Sequence, residues 1–313
     1  VIDGRIRTLS AADSPGIIRL LQLAEWIVDW PRLQLYLDTG TWYGWVDGGS
    51  LLGMITLFPR GEGRWSIGNV IVHPNARRQG IARTLLEFAM NSVSAPATFE
   101  LIATEFGYPL YRQIGFVDCD SVVRLSRDPA DKPGLLGRIR NRRVSSAAFG
   151  AALSQPLPAS HWAHLASLEQ TLCGVYRPQI LRAVQRWPNA WLVGDSDSVT
   201  NASGFCLCLP ADGRVRLGPI VAQDEDTAVE LVQHALELTG SNTAFIDVPT
   251  ADRDANAWLK RLAGMGFRAI RTSPAMVLHR VRLQESPANP PGGTPADSRP
   301  ADRRFGLFDP AML

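Results

Sequence analysis

Apolar residues recur along this chain in two rhythms, and the switches between them predict its elements. Alternating or near-continuous apolar runs over residues 1–9, 42–46, 51–58, 65–72, 98–103 and 116–125 predict strands. Helical spacing of Ile17, Leu20, Leu21, Ala24 and Ile27 predicts a helix over residues 13–30, ended by Pro31, with a short helical piece at 33–37. Asp47-Gly48-Gly49-Ser50 between two apolar runs is a hairpin signal. Ala82, Leu85, Leu86, Ala89 and Val93 share one helical face, and Pro109 to Ile114 reads as a short helix capped by Gly115.

The second half repeats this order from its helices onward. Helices are expected over 160–172 and 178–187, strands over 190–193, 203–209 and 214–221, then helix 227–238, strand 243–248, helix 255–263 and strand 274–280. Gly266-Phe267 echoes Gly115-Phe116. Between the halves, residues 128–146 hold two prolines, two glycines and five basic residues among few apolar ones, which predicts a solvated linker. The tail from residue 284 to 313 is rich in Pro, Gly and Asn up to Ser298. It is expected to be disordered or loosely docked through Phe305 and Phe308.

The stretch RWSIGNVIVHPNARRQGIARTLLEFAM, from Arg64 to Met90, carries the candidate chemistry. A strand is broken by His73-Pro74-Asn75, and a basic turn, Arg77-Arg78-Gln79-Gly80, opens the helix that Ile81 and Ala82 begin. The first N–H groups of a helix lack internal partners and sit at the positive end of its dipole, so such a turn favours a phosphate. Gly80 permits close approach of a ligand to the backbone. The plain alternative is a helix start with two solvated arginines. A P-loop and the dinucleotide-binding glycine pattern are both absent.

The order V-x-V-x-P-x-x-R-x-x-G-x-A across Val70 to Ala82 resembles the cofactor motif of the GNAT superfamily of acyl-CoA-dependent N-acyltransferases. The resemblance implies that the amides of Arg77, Arg78, Gln79, Gly80, Ile81 and Ala82 hold the pyrophosphate of acetyl-CoA, and that Val70, Ile71 and Val72 meet its pantetheine arm. ATEFGYPLYRQIGF resembles the next motif of that family, with Thr104 and Gly107 where many members carry Asn. It implies Tyr111 as general acid, against the alternative of a half-buried packing aromatic. LGPIVAQDEDTA and FIDVP resemble the second domain of a tandem, YitH-like subgroup. There Asp224, Glu225 and Asp226 stand where the phosphate turn would recur, and carboxylates repel a pyrophosphate.

The implied fold is α+β: two tandem GNAT-like domains, each a mixed, mostly antiparallel sheet flanked by helices. Expected boundaries are 1–127 for a catalytic domain, 128–150 for a linker and 151–283 for a degenerate second domain. The implied activity is acetyl transfer from acetyl-CoA to a small-molecule amine near the interdomain cleft, by a monomer or homodimer. An acyl-CoA-binding sensor without turnover is the other reading. Glu62, Glu105 and His73 are candidate bases. Trp26, Trp30, Tyr36, Trp42 and Tyr43 lie in the region that often lines the acceptor cleft, most of them as core.

Composition narrows this picture slightly. A chain of 313 residues holds two cores, and a net charge of +2 gives no argument for nucleic acid or an anionic membrane. No apolar run reaches spanning length and no leader is expected before the first strand, so a cytoplasmic protein is the simplest reading. Cys119, Cys173, Cys206 and Cys208 show neither zinc spacing nor a disulfide framework, and no metal is expected.

Overall fold

The computed structural model describes residues 5–26, 30–61, 63–130, 149–153, 157–251, 255–281 and 304–307. Most of the expected linker, most of the tail, Ile27 and Glu62 lie outside these residues.

The first half runs β1 (Ile6–Thr8), α1 (Ser14–Leu23), α2 (Trp30–Thr39), β2 (Thr41–Asp47), β3 (Ser50–Pro59), β4 (Arg64–Val72), α3 (Ile81–Asn91), β5 (Ala97–Ile102), α4 (Tyr108–Ile114) and β6 (Val117–Arg127). The second runs β7 (Phe149–Ala152), α5 (Ala159–Cys173), α6 (Pro178–Ala183), β8 (Trp191–Gly194), β9 (Phe205–Ala211), β10 (Arg214–Val221), α7 (Glu225–Thr239), β11 (Thr243–Pro249), α8 (Ala255–Gly264) and β12 (Arg268–Arg280). A final strand, β13 (Arg304–Gly306), lies in the tail. Pro31 does not end the first helix. The helix stops at Leu23, and Pro31 occupies the first turn of α2, where its missing N–H costs nothing.

All described strands join one sheet in the order β1-β2-β3-β4-β5-β12-β6-β11-β10-β9-β8-β7, with β13 beside β10. The last strands of the two halves, expected over 116–125 and 274–280, do not complete the sheets of their own halves. β12 enters the first half and pairs with β5, Ala275 opposite Ile102 and Arg280 opposite Ala97. Reciprocally, β6 pairs with β11, Val122 opposite Pro249 and Arg127 opposite Ala244. Each exchanged strand ends in an arginine that reaches helix-end carbonyls of the other half: Arg280 bonds Met90 O in the last turn of α3 and Val93 O just beyond it, and Arg127 Nε bonds Met265 O after α8 at 2.9 Å.

The cores follow the same logic. On one face, α1 and α2 meet α5 and α6, and Ile17, Leu33, Tyr36 and Phe58 share a cluster with Trp162, Leu165, Ile180 and Phe205. On the other face, α3 and α4 cover the first half and α7 and α8 the second. Among the described residues the buried carboxylates, Glu169 and Asp247, are both paired, as desolvation demands. Glu169 holds Arg177 through a 2.6 Å contact with both side chains sealed, and the partly buried Glu100 holds Arg60 and Arg64.

Candidate functional site

The site begins where two parallel strands part. β4 and β5 pair only at Arg64–Thr98, Trp65–Phe99 and Ser66–Glu100, then diverge. The divergence has a local cause: the β3–β4 register shifts between Met54 and Thr56, and Asn69 stands in the left-handed region at φ 53°. Its Nδ2 donates to Thr56 Oγ1 at 3.2 Å, in a fully buried setting. Such a bulge bends the strand away from its neighbour. Asn69 was not singled out from the sequence. The available signal was Gly68-Asn69 inside an apolar strand, because Asn tolerates this conformation better than other non-glycine residues.

Beyond the bulge, the His73 N–H bonds Leu52 O on β3 at 2.8 Å. Strand alternation then turns the main-chain groups of Val72 and Val70 toward the opening, while Ile71 is buried in the core. The turn that follows is held by its own side chains. His73 Nδ1 accepts from the Asn75 N–H at 3.2 Å, Arg77 Nε donates to Val72 O at 3.2 Å, and Gln79 Nε2 donates to Asn75 O at 3.4 Å.

Arg78 (φ 61°) and Gly80 (φ 81°) are both left-handed, a pattern that curls the backbone and turns N–H groups to one side. Gly80 caps α3 with no side chain, the first turn of α3 has no acidic residue, and a Cβ built on Gly80 meets nothing within 4 Å. The space in front of the helix start is therefore open, and an anion there would meet only donors and positive charge. Ile81 and Leu85 seat the helix on the sheet, where Gly53 leaves room for them: a Cβ there would lie 2.8 Å from Ile81 Cγ2. Ala82, half-buried, completes the turn.

Tyr111 lies on α4, in one cluster with Ala76 of the turn, Ile81 of α3, Leu101 of β5 and Ala103 just beyond it. Its ring packs on Gly107, where a Cβ would sit 2.7 Å from Cε2, and edge-on to Phe116 at 5.9 Å. The residue is 7% exposed and burial raises its pKa well above the usual tyrosine value. Its hydroxyl makes no hydrogen bond among the described residues, yet it is not one of the sealed polar atoms, so the oxygen keeps an opening. Nearby, Tyr108 donates to Asp118 Oδ2 at 2.7 Å, a bond that raises the Tyr108 pKa. Phe106, 95% exposed in the turn between β5 and α4, is a second feature that the sequence pattern did not reveal.

The other expected residues do not all gather here. Glu105 is exposed in the turn after β5. Tyr36 and Trp42 are core, bonded through Trp42 Nε1 to Tyr36 O at 3.0 Å. Tyr43 packs edge-on to Phe88 of α3. Trp26 and Trp30 are partly exposed, and Trp30 lines a cavity of about 670 Å³ with Pro188, Trp191, Asp212 and Asn242 of the second half. Among the described residues no group of His, Cys, Asp and Glu is placed to hold a metal ion, and no helix is long and apolar enough to cross a membrane.

The second half repeats the parted strands without the turn. β10 and β11 pair at Arg214–Thr243, Val215–Ala244 and Arg216–Phe245 and then separate, with a register shift against β9 between Leu217 and Ile220. This aligns Arg214 to Val221 with Arg64 to Ile71. At the next helix, however, Asp224 Oδ1 accepts from the Thr227 N–H at 2.8 Å, and Glu225 and Asp226 fill the first turn, both paired with Arg261. Where the strands part, Arg216 and Arg124 close on the buried carboxylate of Asp247.

Comparison with known proteins follows this division. A family profile described as Acetyltransferase (GNAT) family matches residues 12–116, and one described as Acetyltransferase (GNAT) domain matches residues 165–287. The curated relatives match over half of their own length or less. Among them, the uncharacterized N-acetyltransferase YitH of Bacillus subtilis is 32% identical over 114 residues, 36% of this chain and 40% of its own. A crystal structure from Pyrococcus horikoshii assigned as an acetyltransferase superposes with a TM-score of 0.72 at 20% identity, covering 98% of this chain and 95% of its own. A tandem GNAT protein from the clavulanic acid biosynthesis pathway gives a TM-score of 0.62 at 16% identity, over 88% of this chain and 98% of its own. At such identities the two structures show likeness of fold.

Proposed function

The chain belongs to the GNAT superfamily of acetyltransferases as a tandem of two such domains, and on that premise we propose that its first domain, residues 1–127, transfers an acetyl group from acetyl-CoA to the amine of a small molecule. The second, residues 151–283, takes no cofactor. The observation that carries this reading is the open, donor-lined turn at Gly80, standing at the end of a strand that has parted from its neighbour.

In this reading the main chain of Val70 and Val72 holds the pantetheine arm, with Ile71 between them anchoring the strand to β3 and the core, and the amides of Arg77, Arg78, Gln79, Gly80, Ile81 and Ala82 hold the pyrophosphate. Arg78 is exposed and adds charge, whereas the Arg77 side chain is engaged in fixing the end of β4. Acetyl-CoA supplies the activated acyl thioester. The chain supplies position, donors and a place for protons.

Tyr111 is the donor we assign to the departing sulfur. Burial holds its phenol protonated across the neutral range, so it stands ready as a donor rather than as an anion. The acceptor would reach the acyl site along β5, β12 and β6, the strip of sheet between the two helix pairs. Of the candidate bases, His73 is engaged at Nδ1 by the turn it caps, and Glu105 is exposed in the turn after β5.

The test is release of free thiol from acetyl-CoA across a panel of small amines. Amine-dependent release supports transfer. Tight CoA binding with no release for any amine would favour the sensor reading instead.

A further inference from the structure

The second parted-strand cleft is not empty. β13 pairs antiparallel with β10, Gly306 opposite Ile220 and Arg304 opposite Val221. The Leu307 N–H then bonds Asp247 O on β11 at 2.7 Å, so the segment bridges the two strands that part. By the register of the two halves, Ile220 and Val221 correspond to Val70 and Ile71. The tail therefore lies on the strand edge that corresponds to the proposed pantetheine edge of the first domain.

We propose that the second GNAT domain has become a receptor for an extended peptide strand, and that its resident ligand is this chain's own segment 304–307. Three features define what such a cleft takes. The free edge of β10 offers main-chain hydrogen bonds, the currency of strand addition. The capped, acidic start of α7 excludes a diphosphate, so a neutral main chain is favoured over a nucleotide-bearing arm. One apolar seat gives selectivity: Leu307 is 2% exposed and clusters with Val122 of β6 and Ala275 of β12. The receptor assignment itself does not depend on acetyl transfer.

The experiment uses the full chain and Leu307→Asp, which places a charge in the apolar seat, with hydrogen exchange read by mass spectrometry. In the unaltered chain the amides of 304–307 and of β10 should both be slow. In L307D both should exchange ~10–100-fold faster, the factor implied by losing a buried leucine, while β4 is unchanged. L307A, which buries no charge, should move the same way by less. A synthetic peptide of residues 303–310 added to L307D should slow β10 again, and the same peptide should leave the unaltered chain unchanged. Fast exchange of 304–307 in the unaltered chain, or failure of the peptide to protect β10 in folded L307D and L307A, would overturn the proposal.

Discussion

The two clefts of this molecule are built from the same strands and differ at three points, and those points separate a proposed cofactor site from a closed one. In the first, Arg64 to Val72 parts from β5, bulges at Asn69 and leads into a turn whose helix start is left uncapped by any side chain. In the second, Arg214 to Val221 parts from β11 with a matching register shift, but the helix start is capped by Asp224 and followed by two more carboxylates. The mouth of the second holds Arg216 and Arg124 on Asp247, and its strand edge holds β13. The two halves thus share the sheet geometry and differ at the helix start. A parted pair of strands alone offers hydrogen bonds to any extended chain; the helix start decides whether that chain can carry phosphates.

The largest effect that would break this comparison lies at Tyr111, which the second half does not duplicate at Leu262 or Ala263. Tyr111→Phe keeps the ring and its contacts with Gly107 and Phe116 but removes the hydroxyl. If the hydroxyl serves the leaving sulfur, kcat with a productive amine falls ~10²–10⁴-fold while CoA affinity holds. A folded Phe variant with near-normal kcat, transfer being rate-limiting, would reduce Tyr111 to packing.

Next is Gly80→Val. A β-branched side chain is strained at φ 81°, by about 1–2 kcal/mol, and it fills the open space before the helix start. CoA affinity measured by calorimetry should drop ~10–100-fold in a folded variant. Unchanged affinity would mean that the turn does not hold the cofactor.

The smallest effect is expected at Asp224→Ala, which removes the cap of α7. Loss of such a cap costs about 1 kcal/mol, read as a lower denaturation midpoint, and should leave CoA binding untouched. A gain of a second CoA site would show that the carboxylate cap alone had closed the cleft, against the argument that β13 and the Arg216–Asp247 pair close it too.

How much of this was legible in the sequence depends on distance along the chain. The strand, proline break, basic turn and α3 were readable because apolar period and punctuation are local, and Gly80 and Asp224 declare opposite helix starts within a few residues. The GNAT tandem followed from those motifs and their echo. Pro31 misled because a proline can begin a helix as readily as follow one, and the difference lies in where Leu23 and Ala24 stop. The exchange of β6 and β12 was hidden for a deeper reason. An amphipathic strand specifies which face is buried but not which neighbour lies beside it, and both exchanged strands meet equivalent partners. Asn69 and β13 were too short to register, one a single left-handed residue and the other a strand of three.

The central claim is that one cleft of the two takes the cofactor, and a calorimetric titration of the full chain with CoA tests it most directly. The account predicts saturation at one CoA per chain, abolished or strongly weakened by Gly80→Val. Two equivalent sites per chain, or one site indifferent to Gly80→Val, would contradict it.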